Sequence, residues 1–162
     1  MIFLDAPTID ALVARAAAAP RRRLNLNLHS ALADPIQRFL NAGAPGSYIR
    51  PHRHAAPRWE LFAALRGAID VILFDEGGAV ARRHRLEAGS GNLVEIPGGT
   101  WHSFVFAAPG SVALEVKPGP YVAGTDKEMA AWVPDESDAA ARDCAQWLST
   151  AQPGATWKRG CV

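Results

Sequence analysis

Apolar positions recur along this chain with two different periods. Ile9, Leu12, Val13 and Ala16 follow the i, i+3, i+4, i+7 spacing of one helix face. Pro7-Thr8 opens that segment and Pro20 closes it, with Thr8 as the expected N-cap and Asp10 near the positive end of the helix dipole. From Leu24 to His29 the period becomes two, which predicts a strand with leucines on one face and Asn25, Asn27 and His29 on the other. Asp34-Pro35 then predicts a short second helix reaching Ala42, with Pro35 at its first position and Gly43, Pro45 and Gly46 beyond its end. Short apolar or alternating runs follow at 47–54, 61–65, 69–74, 80–86, 93–96, 103–106 and 112–117. Turn signals separate them, among them Glu76-Gly77-Gly78, Gly89-Ser90-Gly91 and Pro97-Gly98-Gly99. Many short strands at roughly ten-residue spacing predict a sandwich or barrel. An Ala-rich helical stretch from 135 to 151, stopped by Pro153-Gly154, ends the pattern.

Composition narrows this picture. The 162 residues suit one domain, and 49% hydrophobic with 20% charged residues is the balance of a packed globular chain. Expected subdivisions are an N-terminal helix, strand and helix over 1–42, a barrel core over 43–122 and a helical C-terminal segment over 123–162. Seventeen Lys and Arg against sixteen Asp and Glu leave a net charge of +1, which makes no case for nucleic acid or an anionic membrane surface. Cys144 and Cys161 form no C-x-x-C pair, no apolar run reaches the length of a membrane span, and Met1 to Leu4 lacks the basic start of a signal peptide. A cytoplasmic protein is expected.

Chemistry concentrates in the histidines. His52-Arg53-His54 on a strand puts two imidazoles on one side, about 6.5–7 Å apart along the backbone. Glu60 begins the next strand, and His102 follows the turn at Pro97-Gly98-Gly99-Thr100. Neutral imidazoles converging with a carboxylate suit a divalent metal. The bland alternative, structural histidines on a half-buried face, is disfavoured by three of the five histidines falling in this pattern. His84, within Ala81-Arg82-Arg83-His84-Arg85, reads as part of a solvated basic strand, and Trp132 and Trp147 as packing or interface residues.

These residues resemble the cupin superfamily. Gly46, His52-Arg53-His54, Glu60 and Gly67 are similar to its first motif, with one residue too many before Glu60. Gly91, Pro97-Gly98-Gly99 and His102 are similar to its second, with Phe106 where asparagine is usual. The stretches 25–29, 34–38, 50–54, 59–62, 95–97, 101–103 and 115–121 look like the WbuC family of cupin-fold metalloproteins, over roughly residues 20 to 135. Members of that family accompany genes of polysaccharide or O-antigen biosynthesis. The resemblance implies an all-β, double-stranded β-helix barrel with short helices at both ends. It also implies one divalent ion, Zn, Fe, Ni or Mn, held by His52, His54, Glu60 and His102.

Around that centre, strand parity places Tyr48 and Arg50 with His52 and His54. Lys117 either pairs with Glu115 at the surface or lines the pocket, Arg38 either caps a helix or approaches the mouth, and His29 is either at an exposed edge or in the pocket. His29, Lys117 and Tyr121 are candidates for proton transfer. The expected ligand is a small anionic or chelating molecule. Two readings follow: a metal-dependent enzyme on a small polar metabolite, of isomerase, epimerase or oxygenase type, or a non-catalytic metal and ligand-binding module. By analogy with cupins, a homodimer is expected.

Overall fold

The computed structural model describes residues 1–159; Cys161 lies outside the described residues. The chain runs α1 (Ala6–Ala18), β1 (Arg23–Asn27), β2 (Ile36–Gly43), β3 (His52–Arg53), β4 (Glu60–Arg66), β5 (Ala68–Phe74), β6 (Val80–Glu87), β7 (Leu93–Ile96), β8 (His102–Phe106), β9 (Ser111–Pro118), β10 (Glu128–Met129) and α2 (Ala141–Thr150). Two five-stranded antiparallel sheets result, one in the order β1-β2-β9-β4-β7 and one in the order β10-β3-β8-β5-β6.

Apolar side chains place these elements in layers. Ile49, Phe62, Ile69, Val71, Phe104 and Phe106 belong to the cluster between the sheets. The amphipathic face of α1 covers the first sheet through Leu12 and Ala16 against Leu40, Ala42 and Val112. On the second sheet, Cys144, Ala145 and Leu148 of α2 pack on Ile72, Phe74 and Val105. Strand β5 is therefore covered on both faces, which explains its nearly unbroken apolar run. Among the described residues no helix is long and apolar enough to cross a membrane.

The helix expected over 135–151 forms only from Ala141 to Thr150, and three further local expectations need correction. Asp5, not Thr8, caps α1: its carboxylate accepts from the Thr8 amide at 3.0 Å, because the helix starts at Ala6 and takes Pro7 into its first turn. The stretch 34–42 is not helical. Residues Ile36 to Gly43 form β2, paired along their full length with β9 and over five residues with β1. Asp34 accepts from the Ser30 amide in the preceding loop instead of capping a helix. Two flanking ladders outweigh a local helix signal. In the basic run of β6, Arg83 and Arg85 both bind the buried Asp70 carboxylate. Arg83 also donates to the carbonyls of Leu148, Ser149 and Ala151, closing the C-terminal end of α2.

Phe106 occupies the space over Gly43 of β2, where a Cβ would fall inside its ring. Gly43→Ala is therefore expected to cost about 1–3 kcal/mol through overpacking. Phe106→Leu in the same chain should recover part of that loss, because the two positions are in contact. Urea unfolding of the two single variants and the double variant measures the coupling; additive losses would show that the ring does not dictate the glycine.

Candidate metal centre

Both sheets contribute to one buried cluster. His52 and His102 are direct cross-strand partners on β3 and β8, so their imidazoles emerge side by side, with ring centroids 4.5 Å apart. His54 follows β3, and Glu60, the first residue of β4, enters from the opposite sheet. A turn at Ala56-Pro57 lies between His54 and Glu60. One ligand atom from each of His52, His54, Glu60 and His102 lies within 4.8 Å of every other, and all four residues are buried. Metal–ligand bonds of about 2.0–2.2 Å put ligand atoms of one ion within roughly 4.4 Å of each other, so the cluster is a few tenths of an ångström wider than a filled centre and would close slightly around one ion.

Proton bookkeeping supports a cation there. The Nδ1 of His52 donates to the Arg50 carbonyl at 2.9 Å, that of His54 to the Asp126 carbonyl at 2.6 Å and that of His102 to the Thr100 carbonyl at 2.9 Å. Such bonds fix the tautomer and aim a bare Nε2 lone pair inward. His102 Nε2 stands 2.7 Å from Glu60 Oε2, and His54 Nε2 stands 3.1 Å from Oε1. Even so, both Nε2 atoms and Glu60 Oε2 are buried without a hydrogen-bond partner. Lone pairs facing lone pairs in a dry site are costly unless a positive ion lies between them. The donor set has three imidazoles, a carboxylate and no sulfur, and it fits a divalent transition metal.

Charge around the centre favours this state. Burial holds the His52 imidazole well below its ordinary pKa, helped by His102 and Lys127. Burial alone would raise Glu60, but the close His102 and His54 imidazoles, with His52 behind them, hold its carboxyl well below the usual range. Burial likewise works against the Lys117 ammonium, yet Glu115, Glu60 and Asp126 together raise its pKa. Its Nζ lies 3.1 Å from Asp126, 3.6 Å from Glu60 and 3.6 Å from Glu115. Burial and the charge of Glu60 push Glu115 up to about 7, against the opposing pull of Lys117 and Asn41.

A cavity of about 480 Å³ reaches the centre through His52 and Glu60. Of the pocket residues expected from sequence, Lys117 lines it, and among the described residues the others do not. Tyr48 donates to the Pro134 carbonyl, and Arg50 is held by the Ala130 carbonyl and Asp135. Their parity argument fails because β3 is only two residues long, and alternation breaks before His52. His29 is buried with its Nδ1 against the Arg38 backbone and its ring edge-on to Phe39. Arg38 donates to the Leu28 carbonyl, and Tyr121 is exposed on the loop after β9. Sequence reasoning left Glu115, with Lys117, between a surface ion pair and the pocket lining, and it missed Asn41, Lys127 and Asp126 altogether. Asp126 carries the carbonyl that orients His54, and its carboxylate binds Lys117 and Arg58. The alternation of Glu115 with Lys117 was the one available signal; nothing local marks Asp126 or Lys127.

About one ion per chain is expected. His52→Ala, His54→Ala and His102→Ala should each remove most of it, and Glu60→Ala should follow, since its spacing is not displaced. Elemental analysis decides, and full occupancy in the His52/His54 double variant would refute the assignment. The pH dependence has a definite sign. A lowered His52 pKa means the folded chain binds fewer protons than the unfolded one, so stability is full above about pH 6.5 and declines in acid. Metal binding to neutral imidazoles acts in the same direction. Melting temperatures with and without chelator should differ at pH 7.5 and converge toward pH 5; a chelator effect independent of pH would exclude histidine ligation.

Solved structures show the same fold at low identity. The chain is similar to KdgF from Halomonas sp. at 20% identity, covering 63% of this chain and 82% of that one, with a TM-score of 0.50. It is similar to a variant of oxalate decarboxylase OxdC from Bacillus subtilis at 18%, covering 66% and 27%, with a TM-score of 0.51. It is also similar to the capsular polysaccharide assembling protein CapF from Staphylococcus aureus at 15%, covering 68% and 32%, with a TM-score of 0.58. The chain thus spans about a third or less of the latter two. These likenesses establish the cupin fold. No curated protein matches the chain. The family profile described as "Domain of unknown function (DUF6016)" matches residues 4–86, just over half of the 162 residues and the part that carries His52, His54 and Glu60, and the chain belongs to that family.

Proposed function

We propose that this protein is a metal-dependent cupin enzyme acting on a small polar metabolite. The observation that carries the reading is the buried set of bare Nε2 and carboxylate atoms beside a cavity that also holds a carboxyl group pushed up to about 7. A divalent ion held by His52, His54, Glu60 and His102 would supply Lewis acidity toward a substrate oxygen. The chain's own residues do the rest. Glu115, whose carboxyl is pushed up to about 7 beside the bare centre, is suited to accept and return a proton at its carboxylate. Asn41 donates to Glu115 Oε2 at 2.6 Å and holds it in place. Lys117, shared among three carboxylates, keeps Glu60 and Glu115 from repelling one another. In this reading Glu115 takes the acid–base role for which His29, Lys117 and Tyr121 were candidates.

Kinship with the WbuC family, and with it a place in polysaccharide or O-antigen synthesis, belongs to the same proposal. It is supported by the shared residue pattern over roughly 20–135, and by the fold likeness to a protein whose own name is capsular polysaccharide assembling protein. Isomerase, epimerase and oxygenase chemistry all suit an open three-histidine, one-carboxylate centre. A reducing cytoplasm suits the buried Cys144, whose thiol burial pushes up to about 12.

Turnover of a metabolite panel by metal-loaded protein, together with native mass spectrometry of what co-purifies, tests the proposal. Glu115→Gln should keep the metal and slow turnover by about 10²–10⁴-fold, the usual share of a general acid–base. The wild-type rate should show an inflection below pH 7 that the variant lacks, because the filled centre draws Glu115 down from the value of about 7 it has beside the bare one. A bound metal and a co-purified ligand without any turnover would favour the non-catalytic binding module instead.

A further inference from the structure

The cavity beside the centre has two unlike walls. One is aromatic and aliphatic, built from Phe62, Phe104, Phe106 and Ile49. The Phe62 and Phe104 rings lie 5.3 Å apart, and Phe104 and Phe106 also 5.3 Å apart, which makes a continuous apolar surface. The other wall carries Asn25 and Asn41. A ligand that was polar all round would leave water against the aromatic wall, whereas an apolar body would displace it.

Charge selects the other end of the ligand. Four cations, Arg21, Arg23, Lys117 and Lys127, line the cavity against the two carboxylates of Glu60 and Glu115. Three of the four are already engaged. Arg21 and Arg23 share Glu136, and Lys117 lies against three carboxylates. Lys127 has no ion-pair partner among the described residues. Its place follows from the cavity wall. It lines the cavity together with His52, Glu60 and Lys117. Lys127 is exposed overall; desolvation at the cavity and the neighbouring Lys117 lower its pKa, so an added negative charge would relieve it. Glu60 and Glu115 together offset a divalent ion, and the one free cation left suits a single negative charge better than a dianion.

We propose that the ligand of this cavity is a monoanionic organic acid with an apolar body, its carboxylate paired with Lys127 and its body laid on the Phe62–Phe104–Phe106 wall. This deepens the metal-enzyme reading above and rests on it only for the ion beside the carboxylate.

Calorimetry of the zinc-loaded protein with mandelate, lactate and mandelamide tests it. Lactate keeps the hydroxy-acid head and loses the ring; mandelamide keeps the ring and loses the charge. Mandelate should bind at least tenfold more tightly than either. Lys127→Met should weaken mandelate at least tenfold, to the level of mandelamide, while zinc content stays unchanged. Equal affinity for mandelate and lactate, an unaltered affinity in the Lys127→Met variant, or no binding by any probe would each overturn the proposal. The same titrations without metal keep the two readings apart. Failure to take up zinc refutes the metal centre, whereas a Lys127-dependent preference for mandelate over lactate is legible in either form.

Discussion

Four ligand atoms gathered within 4.8 Å, in a dry interior and without protons to share, are the constraint on which the site depends. Each histidine commits its Nδ1 proton to a backbone carbonyl, at Arg50, Thr100 or Asp126, and those carbonyls lie in segments flanking the second sheet. Glu60 comes from the first sheet. The cluster therefore exists only if the two sheets are held at a fixed separation, and the packing of Phe62, Phe104 and Phe106 between them does this. The helices brace the arrangement from outside, with α2 tied to β6 through Arg83. A cluster whose members repel one another stabilises nothing by itself. The fold is rigid enough to assemble it, and a cation converts the repulsion into attraction.

The elements that sequence reading recovered were those whose cause is local. The strands at 69–74, 80–86, 93–96 and 112–117 match β5, β6, β7 and β9 within one or two residues, because alternation and bounding turns both lie within the segment. His52 and His54 were legible because two residues of strand suffice to align them, and His102 because the turn before it carries two glycines. The helix expected over 34–42 failed for the opposite reason. The pairing of β2 with β9 joins residues such as Gln37 and Lys117, eighty positions apart, and no local window contains that information. Arg50 was misplaced by assuming a longer strand than β3. Asp126 and Lys127 stayed invisible because their roles arise only when β10 returns to β3.

Lys117 and Lys127 show why a count of cations is a poor guide to a pocket. Lys117 is the more buried, but its charge is divided among Asp126, Glu60 and Glu115, and it serves to hold those carboxylates together. That division is also why Glu115 is not drawn down into the ordinary carboxylate range: its share of Lys117 does not offset burial and the charge of Glu60, and it rests at about 7. A divalent ion coordinated by Glu60 changes this balance. It withdraws the negative charge that raises Glu115 and adds a positive field across a short, poorly screened distance. Glu115 then releases its proton more readily when the centre is filled than when it is bare. The proton affinity of the candidate acid–base group is thus coupled to occupancy of the metal centre through the one carboxylate that touches both, Glu60.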